Sequence, residues 1–213
     1  MSRLLPRNAP TSAPAPDLIA PLPVRLFFYL ALIVGVFQII SILARTPGRN
    51  ILQEGGLIEN LQIVVLVLVA GGLLLAGRSS PRGRPRLYQL LAALAVCAIG
   101  RELDDSYPYR AIPNTVRILA AVVFVGGVAI RARACLREEI RSLLRRPAAV
   151  LFVVGIALVA CWAQVLGERP LWRQFGCSTM GKRMVEENLE FAGYSLIALG
   201  VIEEWLHSRR VDR

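Results

Sequence analysis

Six apolar runs, at residues 22–44, 57–76, 87–100, 116–130, 148–166 and 184–206, occupy most of this chain. Several have the roughly 20 residues that a helix needs to cross bilayer hydrocarbon. The third and fourth reach that length only when their charged ends are included. With 55% hydrophobic and 19% charged residues among 213, the chain is more apolar than an ordinary soluble domain. The reading is all-α: a polytopic transmembrane helical bundle of about six helices.

Residues 1–23, with Pro6, Pro10, Pro14, Pro16, Pro21 and Pro23, have no apolar periodicity and read as a disordered Pro/Ala-rich tail. The transmembrane domain is expected over 24–207, with a short tail at 208–213. The first apolar run follows that long leader and is longer than a signal-peptide core, so it is expected to stay as an uncleaved anchor.

Basic residues fix the expected orientation, because cytoplasmic loops are enriched in Lys and Arg. Arg3, Arg7 and Arg25 precede or open the first run, and Arg78, Arg82, Arg84 and Arg86 link the second and third. Arg131, Arg133, Arg137, Arg141, Arg145 and Arg146 link the fourth and fifth, and Arg209, Arg210 and Arg213 form the tail. Both termini are therefore expected in the cytoplasm. These segments account for the whole formal charge of +10, so the basicity reflects topology and contact with anionic lipid headgroups. Nucleic acid is excluded as a partner, since no stacking or base-reading groups accompany the arginines.

Under this threading three acidic segments meet at the outer face. They are Glu54-Gly55-Gly56-Leu57-Ile58-Glu59, Arg101-Glu102-Leu103-Asp104-Asp105 and Glu186-Glu187-Asn188-Leu189-Glu190. Glu59 and Gln62 share a helix face, as do Arg101 and Asp105, and Glu187, Glu190 and Tyr194 form one stripe. Carboxylates at membrane depth are costly and by default mark a site. Against that stands a structural network, with helix N-termini favouring the glutamates and Arg101, Arg110 and Arg117 pairing with the rest.

The candidate cation or metal ligands are Glu59, Glu102, Asp105, Glu187 and Glu190; Arg101, Arg110 and Tyr194 are the candidate ligand-binding residues. Carboxylates with amide oxygens suit a divalent cation such as Mg²⁺, Ca²⁺ or Mn²⁺. Zinc and haem are disfavoured, because the single histidine, His207, falls at the opposite side, where it reads as a solvated helix-end residue. No G-x-S-x-G, H-E-x-x-H or phosphate-binding glycine loop is present. Cys177, with Ser178 and Thr179, has no base placed to activate it, and a disulfide to Cys161 needs a close backbone approach. Glu138-Glu139-Ile140-Arg141 lies in a basic linker without an accompanying histidine and reads as an interfacial amphipathic helix. Gly71, Gly72, Gly126, Gly127, Gly193 and Gly200 lie within apolar runs, where small residues let helices approach.

In order and spacing, the E-G-x-x-x-E, R-E-L-D and E-E-x-x-E segments resemble those of a group of bacterial multi-pass inner-membrane proteins without a characterised function. The resemblance spans residues 25–205 and implies a bacterial cytoplasmic membrane and an acidic outer cluster; it carries no activity over. In that group the R-E-L-D segment is followed by an aromatic residue and a histidine, where this chain has Asp105 and Ser106.

The leading expectation is a protein that binds a cation or polar headgroup in an acidic outer cleft, as a transport or accessory component. Two alternatives stand beside it. One is a divalent-metal-dependent membrane enzyme acting on a lipid or isoprenoid phosphate, with Arg101 or Arg110 on the phosphate. The other is a structural subunit bound to protein partners in the membrane through a face rich in small residues.

Overall fold

A computed structural model describes residues 20–44, 56–79, 85–103, 112–163, 165, 172 and 179–211. Those residues form an all-helical bundle with no strand among them. The helices are α1 Leu22–Ala44, α2 Leu57–Ser79, α3 Pro85–Glu102, α4 Asn114–Leu144, α5 Pro147–Ala157, and α6 Thr179–Val211; a π turn at Leu158–Trp162 prolongs α5. The proline-rich segment 1–19 lies outside the described residues, as do Glu54, Asp104, Asp105, Arg110 and Cys177.

Proline sets two of the starts. Pro85 and Pro147 open α3 and α5, where the missing N–H costs no helical hydrogen bond. Arg146 is extended (φ −108, ψ 151), as the residue before a proline tends to be, and this breaks the chain between α4 and α5. No such breaker lies in 131–144, so the basic linker expected there is instead the continuation of α4. Glu139 in that continuation faces the bundle with Ala132 and Leu143. It is 6% exposed, and its carboxylate accepts a 2.6 Å hydrogen bond from the Leu87 N–H in the first turn of α3. A separate interfacial helix at 138–141 is therefore not what forms; this stretch holds the start of α3.

Spans in α1, α2 and α4 are long and apolar enough to cross a membrane: Leu22–Ile40, Leu57–Arg78 and Asn114–Leu144. Large apolar side chains remain on their outward faces; Phe27, Leu68, Val123 and Ile130 are 68, 67, 66 and 67% exposed. In water, exposed apolar area costs about 25 cal/mol per Å² relative to burial, and lipid removes that cost.

The core is shared by α2, α3, α5 and α6, through Leu66, Val69, Leu73, Tyr88, Phe152, Tyr194 and Val201 among others. Helices α2 and α3 form an antiparallel hairpin, with Gly77 against Pro85 and Tyr88, and α5 runs antiparallel to α6. The latter crossing is the closest. A Cβ built on Gly193 would lie 2.7 Å from the Gly155 carbonyl oxygen and 2.5 Å from Val159 Cγ2. Gly72 meets Val201 and Gly200 meets Phe152, so these glycines serve packing as expected, whereas Gly71, Gly126 and Gly127 face open space. Helix α1 is peripheral and packs mainly on α6, with Ile40 joining Ile58 and Phe191.

Because α2 and α6 run parallel, their first turns lie together at one end of the bundle, here the upper end, beside the last turn of α3. At the lower end the last turns of α6 meet the starts of α1, α3 and α5.

Candidate functional site

The upper end assembles the three acidic segments predicted to meet. Glu59 and Gln62 come from the first turns of α2, Arg101 and Glu102 from the last turn of α3, and Glu187, Glu190 and Tyr194 from the upper half of α6. The Arg101 guanidinium bridges Glu190 at 2.7 Å and Glu102 at 2.8 Å. It also donates to the Tyr194 hydroxyl at 3.1 Å, and that hydroxyl donates to Glu102 at 2.8 Å. Arg183, which the sequence reading passed over, lies 3.0 Å from Glu59 and 3.7 Å from Glu187. It lies one turn before Glu187 on α6, and that i, i+4 spacing was the available signal.

Gln62 joins the two halves. It is fully buried, and its side-chain amide nitrogen donates to the Glu187 carboxylate at 3.1 Å and to the Glu187 backbone carbonyl at 3.2 Å. Its side-chain carbonyl oxygen is buried with no hydrogen-bond partner among the described residues. Turning the amide over would set that oxygen against two acceptors, so the orientation is fixed by chemistry. A buried acceptor without a donor is costly.

Four carboxylates, Glu59, Glu102, Glu187 and Glu190, are thus shared between two guanidiniums among the described residues. Glu102 and Glu190 are nearly closed off, with side chains 7 and 8% exposed, while Arg101 is 40% exposed and faces outward. Among the described residues no three carboxylate, histidine or cysteine groups converge as a metal-ligand set. Asp105 and Arg110 lie outside the described residues.

Directly beneath the cluster is an apolar groove of about 270 Å³. Leu66, Val69 and Leu73 of α2 line it, with Ala95 and Ala98 of α3, Ile156, Val159 and Ala160 of α5 and its π turn, and Tyr194 and Ile197 of α6. The tyrosine belongs to both regions, its ring to the groove and its hydroxyl to the cluster.

The lower end carries a second polar cluster that the sequence reading missed. Glu203 and Glu204, which the sequence reading did not single out, are 3 and 2% exposed. Glu203 pairs with Arg25 at 3.2 Å and accepts a 2.7 Å hydrogen bond from Tyr29. Glu204 pairs with Arg146 and accepts from Tyr88 at 2.6 Å. His207, expected to be a solvated helix end, lines a cavity of about 110 Å³ with Arg25, Arg146, Glu203 and Glu204. The signal was in the periodicity: Glu190, Tyr194, Ile197, Val201 and Glu204 form one stripe of α6, with a carboxylate at each end.

No family model, curated protein or solved structure matches the chain.

Proposed function

We propose that the chain is a multi-pass protein of a bacterial cytoplasmic membrane, with both termini in the cytoplasm, whose upper cluster faces outward and binds an amine-bearing polar headgroup or cation as a transport or accessory component. The orientation rests on Arg78, Arg86, Arg131, Arg133 and Arg137, which lie toward the lower end.

The observation that carries the binding reading is the buried Gln62 carbonyl oxygen, left without a donor among the described residues and set beside the Glu187 and Glu190 carboxylates. That oxygen calls for a hydrogen-bond donor, and the buried Glu187 and Glu190 beside it favour a cationic one. An ammonium group supplies three N–H donors and one charge. A divalent cation supplies the charge, but it calls for several oxygens converging on one point, whereas here guanidiniums separate the carboxylates.

Thermal unfolding of the full chain in mild detergent, with added ethanolamine, Mg²⁺, Ca²⁺, Mn²⁺ or EDTA, tests this. A ligand selective for the folded state raises the midpoint with the logarithm of its concentration. Ethanolamine is expected to stabilise the wild type and to lose its effect on Glu187→Gln, which still folds. Stabilisation by divalent ions alone would replace the amine with a metal, and an unresponsive wild type would leave the upper cluster as a structural network.

A further inference from the structure

The groove and the polar cluster are stacked one helical turn apart on three helices. On α2, Gln62 stands one turn above Leu66, and on α3, Arg101 and Glu102 follow Ala98. On α6, Glu190 stands one turn above Tyr194. Residues at i and i+3 or i+4 share a face, so cluster and groove lie on the same face of each of these helices.

The groove lies between α3 and α5, which make little contact with each other and rest on α2 and α6. Ala95 and Ala98 on one wall and Ala160 on the other leave the space unfilled. Its rim reaches the outside of the bundle, since Leu94 and Ile156 line it while being 44 and 42% exposed. Apolar cavities do not take up water, and bilayer hydrocarbon is the medium surrounding this rim. From Leu66 to Leu73 the groove spans about 10 Å of helix rise. It ends upward at Tyr194, whose hydroxyl is already hydrogen-bonded into the charged cluster.

We infer that the ligand of the upper cluster is a membrane phospholipid with an amine head, one acyl chain of which lies in the groove between α3 and α5. This rests on the headgroup reading above and adds the tail. The ammonium meets Glu187 and the unpartnered Gln62 oxygen, and the partly exposed Arg101 lies at the level of the lipid phosphate, an anion that guanidinium groups recognise.

The test uses delipidated full chain in detergent, with thermal unfolding followed against three probes: phosphatidylethanolamine, phosphatidylglycerol with the same chains, and chainless glycerophosphoethanolamine. Wild type is expected to be stabilised by phosphatidylethanolamine at far lower concentration than by the chainless head, and little by phosphatidylglycerol. Ala160→Phe places a ring in the groove from an exposed position. It is expected to weaken the response to phosphatidylethanolamine about tenfold, the loss that follows when a few chain carbons lose their packing contacts, and to leave the response to the chainless head unchanged. Ala98→Phe, from the opposite wall, should do the same.

If both phenylalanine variants bind phosphatidylethanolamine like wild type, the groove assignment is overturned while the headgroup reading stands. If Glu187→Gln leaves every response intact, both fall. Equal stabilisation by phosphatidylglycerol would overturn the amine head.

Discussion

Replacing Gly193 by alanine tests the geometry on which groove and cluster both depend. The added carbon would lie 2.7 Å from the Gly155 carbonyl oxygen, 2.5 Å from Val159 Cγ2 and 3.3 Å from Val159 N. A carbon–oxygen contact between packed helices is about 3.3 Å or longer, so the new methyl is roughly 0.6 Å too close to a backbone atom that cannot rotate away. Helices α5 and α6 must then separate. Overpacking of this kind costs about 1–3 kcal/mol, and alanine's better helix propensity returns about 0.8–1 kcal/mol. A net loss of up to about 2 kcal/mol is expected. Gly127→Ala is the control, because a Cβ there meets nothing within 4 Å; it should be neutral or gain up to about 1 kcal/mol. Reversible unfolding in detergent mixtures titrated with dodecyl sulfate, followed by circular dichroism, measures both. Because both variants share the propensity gain, two variants within about 0.5 kcal/mol of each other would refute the close α5–α6 crossing.

The same assay checks three further expectations. Glu204→Ala leaves Arg146 and the Tyr88 hydroxyl without their buried partner and should cost about 3–5 kcal/mol, most of it recovered when Arg146→Met is added; a loss under about 1 kcal/mol would mean that the pair is exposed. Glu139→Ala removes the acceptor of the Leu87 N–H and should cost about 1–2 kcal/mol, with faster amide exchange at Leu87 as the local sign and unchanged exchange there counting against it. Arg101→Met and Glu190→Gln, singly and together, should be coupled by about 0.5–3 kcal/mol through their 2.7 Å contact; strict additivity would mean that the contact does not form.

The helices were legible because hydrophobic runs and prolines act locally. The starts of α1 and α2 lie where the runs begin, and α5 begins on Pro147. Convergence of Glu59, Glu102 and Glu190 at one end was legible too, since an alternating up-and-down path leaves no other place for them. Three-dimensional packing decided the rest. Nothing local distinguishes Gly127, facing open space, from Gly193, pressed on a carbonyl; each is a glycine in an apolar run. Glu203 and Glu204 drew no attention beside the arginines that follow them, yet α6 continues to Val211 and carries both inside the bundle. Glu139 was misread for a related reason: its partner is a backbone N–H 52 residues away, which no side-chain pattern announces.

Helix α6 carries buried carboxylates near both ends, and their surroundings differ. At the lower end Glu203 and Glu204 each have one arginine and one tyrosine. Each carboxylate there is matched by a cation, although Arg25 Nε is buried without a hydrogen-bond partner among the described residues, and the cluster ties α1, α3 and α5 to α6. At the upper end four carboxylates share two guanidiniums among the described residues, and Gln62 keeps an acceptor without a donor. Desolvating unmatched negative charge is expensive, and the cost falls when a cationic donor arrives. The upper cluster also borders the apolar groove through Tyr194, whereas the lower cavity is lined chiefly by its own ion pairs. On the proposed headgroup reading, removing a carboxylate should act oppositely at the two ends: Glu204→Gln weakens the ligand-free fold, while Glu187→Gln relieves repulsion in it and abolishes the stabilisation expected from added ethanolamine.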